Sequence, residues 1–395
     1  MTHHAQPEPA PDHSEPAADH SEPVPGHSEP APQSGALYYW DYLGLDNLLS
    51  AQQPRSNVAG NSAHDELLFI IVHQAYELWF KQILHELDDV VAIMSADHIP
   101  EKSMGQVADR LERIVAIQRL LVEQITVLET MTPLDFLDFR DALVPASGFQ
   151  SVQFRLIENR LGLDPQRRLK IHGAPYTAVL SPEHAEMLAG TEHTSTVREG
   201  VDRWLSRTPF LRFGRFDFWA AYARAVEDML AGERHAIENL ESLTAEGRAE
   251  QLAGVDETAA SFQTLFDADQ YAQLRDRGQR QFSHQAFLAA LLINLYRDEP
   301  LFQTPFRLLT ALVGIDEGFT TWRQRHALMV HRMIGAKIGT GGTSGHAYLT
   351  AAANRHRVFS DLFDLPTYFV PRSALPELPD EVSAQLRFRY EEDRP

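Results

Sequence analysis

The chain has 395 residues, 44% hydrophobic and 23% charged, with 35 Lys+Arg against 55 Asp+Glu and a formal net charge of −20. The apolar share is enough for a sizeable core, and the acidic excess excludes a protein built to grip phosphate backbones. Cysteine is absent, which excludes disulfides, thiolate metal sites and a cysteine nucleophile.

Residues 1–34 differ from the rest: they hold eight of the 23 prolines, six acids and five histidines, with no Lys, Arg or aromatic residue. A seven-residue unit recurs there, at Asp12–Pro16, Asp19–Pro23 and Gly26–Pro30. Such a segment has little to bury and cannot offset its ordering entropy, so it reads as a disordered acidic tail. Evenly spaced His13, His20 and His27 are also a weak metal-binding pattern. The start has neither a basic n-region nor an apolar h-region, so no secretion signal is expected and the location expected is cytoplasmic.

Residues 35–395 read as one large helical domain. His64–Met94 carries apolar stripes with Glu, Lys and Asp on the remaining face. From Asp109 to Glu129 the apolar positions Leu111, Ile114, Val115, Leu121, Val122, Ile125 and Leu128 follow a period near 3.6. Residues 161–200, rich in Pro, Gly, Thr and His, read as a connecting region with shorter elements. Phe287–Tyr296 and Trp322–Ile334 continue the helical pattern. Pro133, Pro145, Pro209, Pro300 and Pro305 are expected to punctuate helices rather than interrupt them. Period-two strands are not expected. The uncharged stretch Gln281–Tyr296 covers only 16 residues, short of the roughly 20 needed to span a bilayer.

Several local patterns bear on chemistry. Gly339-Thr340-Gly341-Gly342-Thr343-Ser344-Gly345 lacks the Gly-Lys-Ser/Thr of a phosphate loop and follows a helical pattern, not a strand. It is either a flexible turn or a backbone cradle for a small anionic or zwitterionic ligand, with Thr340 adding a hydroxyl. No histidine has Asp or Glu three residues before it, so the Glu-x-x-His pairs of a di-iron bundle are missing. His-Glu-x-x-His and Gly-x-Ser-x-Gly are also missing. His73 lies among Phe69, Ile70 and Tyr76, and His326 among Trp322, Met329, Val330 and Met333. An imidazole on an apolar stripe is either a hydrogen-bonded core residue or a ligand in a haem pocket, and spacing does not choose. Arg140 follows Phe136 and precedes Pro145-Ala146-Ser147-Gly148-Phe149. It is either an ion-paired arginine or a fork for a carboxylate.

Together these segments resemble the tryptophan 2,3-dioxygenase family of haem enzymes. The resemblance rests on Tyr39-Trp40-Asp41-Tyr42-Leu43, the run His64–Gln82, Phe136-Leu137-Asp138-Phe139-Arg140, Ser147-Gly148-Phe149-Gln150-Ser151, Tyr296-Arg297-Asp298-Glu299-Pro300, Trp322-Arg323-Gln324-Arg325-His326, Gly339-Thr340-Gly341-Gly342 and Pro366-Thr367-Tyr368. It covers roughly 37–373 and is weakest across 161–200. It implies an all-α, haem-binding fold of the tetrameric dioxygenase kind, with haem b as cofactor and L-tryptophan and O2 as substrates. It implies neither a nucleic-acid nor a membrane partner. By the resemblance His326 is the proximal haem ligand, and His73 faces the indole N–H. Phe69 and Phe136 line the substrate pocket, Arg140 holds the substrate carboxylate, and Thr340 meets the ammonium and carboxylate end. Ser147 sits near haem or substrate, and Tyr39 and Tyr42 reach into a neighbouring subunit's pocket of a homotetramer. Thr343 departs from the Ser more usual in the family. Two other readings remain open at this level: a haem monooxygenase of specialised metabolism acting on a substituted tryptophan or indole, and a catalytically silent haem- or tryptophan-binding regulator.

Overall fold

The computed structural model describes residues 36–58, 60, 62–164, 167–170, 175–191, 194–207, 212–213, 216–337, 339 and 345–386. The repeat-bearing segment 1–34 and Thr340 therefore lie outside the described residues. The chain divides into one unit that ends at Ala51 and another that starts at Gln52.

In the first unit, α1 (Tyr39–Leu43) and α2 (Leu45–Leu49) meet at Gly44. Its φ of 60° needs a residue without a Cβ. The Trp40 indole N–H donates to Asp46 Oδ1 at 2.9 Å across that turn.

The second unit is built on long helices. Among the described residues, α3 (Arg55–Val58), α4 (Glu66–Met94), α5 (Glu101–Leu128), α6 (Pro133–Arg140) and α7 (Val152–Leu161) come first. Shorter α8 (Pro182–Ala189) and α9 (Val197–Ser206) follow, then a two-residue antiparallel pair, β1 (Arg212–Phe213) with β2 (Phe216–Asp217). Next are α10 (Phe218–Glu238), α11 (Ala245–Phe266), α12 (Ala268–Asp276), α13 (His284–Leu295) and α14 (Pro300–Ile334). The chain ends in α15 (Gly345–Arg355), α16 (Ser360–Asp364) and α17 (Asp380–Gln385). The fold is all-α, as expected, and no described helix is long and apolar enough to cross a membrane.

Helix α4 buries Val72, Tyr76, Phe80, Ile83, Leu87, Val90 and Met94, a run of three- and four-residue steps that makes one apolar stripe. Helix α5 buries Met104, Val107, Leu111, Ile114, Leu121, Ile125 and Leu128 on the same principle. These two pack against each other and α5 packs on α14. Polar links register them: the Tyr76 hydroxyl donates to Leu121 O at 2.8 Å, and Gln118 Nε2 donates to Ile315 O at 2.9 Å. In α13, Ala286, Phe287 and the run Ala289–Ile293 are all buried, so this helix lies inside the core on every side.

Two prolines begin helices as expected, Pro133 in α6 and Pro300 in α14. Pro305 does not punctuate: it lies inside α14, which runs 35 residues instead of starting near Trp322. Tertiary packing of Leu308, Leu309, Leu312, Ile315 and Phe319 carries the helix across the one hydrogen bond that the ring removes.

Candidate active site

Two long helices supply facing imidazoles. His73 projects from α4 and His326 from α14, and both line a cavity of about 250 Å³, far more than a single water occupies. The sequence places them 253 positions apart, and only the packing of α4, α5 and α14 brings them together. Phe69, Phe136, Arg140 and Ser147 line the same cavity.

The neighbours of each imidazole fix its chemistry. The His73 ring bonds through Nδ1 to Phe69 O at 2.7 Å. A carbonyl only accepts, so Nδ1 carries the proton and Nε2 is left as an acceptor. Burial pushes the His73 pKa down, against the Phe69 bond and the charge of Glu77. His326 is pushed down to about 4, first by burial and then by His73. Its Nδ1 is buried with no hydrogen-bond partner among the described residues. Trp322, one turn earlier, has its ring 5.3 Å from that of His326.

The other walls are mostly apolar. Phe69 stands 5.8 Å from Phe136 and 5.5 Å from Phe139, ring centre to ring centre. Met131 and Met333 line the cavity beside them, and Phe139 packs against the same cluster. Phe136 and Arg140 come from the short helix α6, which starts on a capping box. The Thr132 side chain accepts from Asp135 N, and the Asp135 carboxylate accepts from Thr132 N. The Arg140 side chain is 18% exposed, and its guanidinium lies 3.9 Å from Asp141 Oδ1. Ser147 caps the next turn, where Oγ accepts from Phe149 N at 3.4 Å.

Of the other sequence candidates, Thr340 lies outside the described residues. Tyr39 and Tyr42 belong to the first unit and are 74% and 72% exposed there. Sequence reasoning did not single out Arg155, Glu158, Arg323 and His356, which also line the cavity. Arg155 and Glu158 pair three residues apart on one helix, but only packing between segments distant in the chain brings them to Arg323 and His356.

The donor set is selective. Among the described residues no group of three or more His, Asp or Glu could hold a metal ion. A bare ion bound by several side chains is therefore not what these residues fit. A neutral, buried imidazole in a mostly apolar cavity would fit a metal already held in an organic ring and taking one further ligand from the protein. An aromatic wall with one ring acceptor and an arginine suits an aromatic amino acid.

A family model described as tryptophan 2,3-dioxygenase matches residues 26–369. The tryptophan 2,3-dioxygenase of Bdellovibrio bacteriovorus is 50% identical over 354 residues, covering 90% of this chain and 99% of that protein. That of Dictyostelium discoideum is 45% identical over 355 residues, covering 90% and 89%. The Xenopus laevis enzyme of the same name is 47% identical over 350 residues, covering 87% and 85%.

Proposed function

The chain belongs to the tryptophan 2,3-dioxygenase family, and from that premise we propose the following reaction and site. The protein is an oxidoreductase that inserts both atoms of O2 across the indole C2=C3 bond of L-tryptophan. The product is N-formyl-L-kynurenine, and the step belongs to tryptophan catabolism by the kynurenine route. Haem b, when bound, supplies the iron at which O2 is activated. His326 is the residue that holds it, as a neutral imidazole kept unprotonated by burial.

The remaining roles follow from the chemistry of each side chain. His73 accepts the indole N–H at Nε2, because its own proton is committed to Phe69 O. Phe69 and Phe136 wall the indole and exclude water from it. Arg140 pairs with the substrate carboxylate. Thr340 meets the zwitterionic end by the family resemblance, and Ser147, at the cavity wall, contacts the haem. Substrate orientation over the reacting face is the main contribution of these residues.

We also propose a cytoplasmic homotetramer in which Tyr39 and Tyr42 enter a neighbouring subunit's pocket. Tyr38, Tyr39, Trp40 and Tyr42 are all strongly exposed, an aromatic patch that a second subunit would cover. Light scattering tests this: four-chain mass is expected, and a monomer would remove that role from both tyrosines.

The observation that carries the reading is the meeting of His73, His326 and Arg140 at one apolar cavity. The test is anaerobic reduction of the hemin-loaded protein, addition of L-tryptophan, then ¹⁸O2, with mass analysis of the product. Gain of two labelled oxygens is expected. Gain of one would favour the monooxygenase reading, which the family's named relatives do not support.

A further inference from the structure

Four cavity-lining residues, Arg155, Glu158, Arg323 and His356, belong to one buried charged cluster that the reaction above leaves unexplained. Glu158 sits at its centre on α7, 3% exposed. Its Oε1 accepts from Arg323 Nη2 at 2.9 Å and from His356 Nδ1 at 3.1 Å. Its Oε2 accepts from Arg155 Nη1 at 3.1 Å and from Arg168 Nη1 at 3.4 Å. The four acceptor sites of the carboxylate are thus filled. Arg323 is held from a second side, since Nη1 donates to His356 O at 3.2 Å. The His356 ring accepts from Leu169 N at Nε2, so its proton is on Nδ1 and the ring is neutral.

The charges do not cancel. Three guanidinium groups surround one carboxylate. Asp316, a second buried carboxyl that acts on Arg323, accepts from Val358 N and Phe359 N, and with it counted two carboxylates still stand against three guanidinium groups. A cluster that only joined helices would not need surplus charge, which is costly to bury. The surplus borders the cavity, and Arg323 stands one turn before His326 on α14.

We propose that Glu158 is a positioning residue for the group held by His326: it fixes Arg155 and Arg323 at the cavity wall, and the cluster's surplus positive charge raises the electrostatic potential inside the cavity. This rests on the reading that His326 holds haem. A positive field in a low-dielectric cavity stabilises the electron added on reduction of the iron. The sign of the effect is fixed by charge. Removing the Glu158 charge enlarges the surplus, and removing Arg168, which does not line the cavity, shrinks it.

The test is the reduction potential of the hemin-loaded, full-length protein, read by spectroelectrochemistry. Glu158→Gln is expected to move the potential up and Arg168→Gln to move it down. Glu158→Asp keeps the charge and is expected to stay near the wild-type value. Asp361→Asn is the control, a carboxylate 0% exposed that accepts from Gln281 N and Phe282 N away from the cavity. It is expected to lose stability with no change in potential. Opposite shifts in the two Gln variants are something a purely structural role does not produce. Unmoved potentials, or shifts of one sign in both, overturn the proposal. Should Glu158→Gln fail to fold, Arg168→Gln alone decides, and a potential at or above wild type overturns it. Wild-type protein that takes up no hemin sinks the haem reading and this proposal with it, whereas loaded protein with unmoved potentials sinks the proposal alone.

Discussion

At the residue scale, hydrogen bonds assign the protons that decide which groups can meet a ligand. His73 is an acceptor at Nε2 only because Phe69 O takes the proton at Nδ1. Replacing His73 by Ala removes one bond to a neutral N–H, so tryptophan affinity should fall by about 1 kcal/mol. Arg140→Ala removes a charge from a half-buried fork and should weaken tryptophan binding by about 2–5 kcal/mol. Spectral titration of the hemin-loaded variants with L-tryptophan measures both. Equal losses, or no loss for Arg140→Ala, would remove Arg140 from the carboxylate site. Both residues were legible in the sequence as candidates. What was not legible was the choice between a core histidine and a ligand, because that choice depends on contacts between α4 and α14.

At the element scale, α6 presents Phe136 and Arg140 from a helix of only 8 residues. A helix so short depends on its ends. Thr132→Ala breaks the capping box and should cost about 1 kcal/mol in chemical denaturation. Tryptophan affinity should fall with it, since the same cap orients the arginine. Unchanged affinity would mean that packing of Phe139 holds α6 without help. Helices α4 and α9 approach closely at Gly200, where an added Cβ would lie 2.7 Å from Met94 Cβ. Gly200→Ala should therefore destabilise by about 1–3 kcal/mol, measured by thermal or denaturant unfolding. The stripes of α4 and α5 were plain in the sequence because their periodicity is continuous. The first half of α14 was not, since Pro305 is a stop signal locally and is overridden only by burial of residues such as Leu308 and Leu312.

At the scale of the whole molecule, two buried carboxyls titrate in opposite senses. Burial alone would raise Glu158, but Arg155, the His356 hydrogen bond, Arg168 and Arg323 outweigh it and hold the carboxyl well below the usual range. Its contribution is fully present above about pH 4.5 and is lost as pH falls through the folded value. Asp316 is pushed up to about 6 by burial, against hydrogen bonds from Val358 and Phe359. The folded state then holds the extra proton between about pH 4 and 6, so this group's contribution falls as pH rises through that window. Asp316→Asn should remove that slope from a plot of unfolding free energy against pH. An identical slope in the variant would show that Asp316 does not titrate there. This cluster was invisible in the sequence: Glu158 and His356 are 198 positions apart, and their pairing exists only after α7, α14 and the chain beyond α15 have packed.

The visible absorption spectrum of purified, hemin-loaded protein and its His326→Ala variant, each with and without L-tryptophan, tests the central claim most directly. The expected result is a Soret band in the wild type that shifts on adding tryptophan, and loss or marked alteration of that band in the variant. Wild-type protein that stays colourless with hemin, or a variant with an unchanged band and unchanged hemin content, would contradict the account.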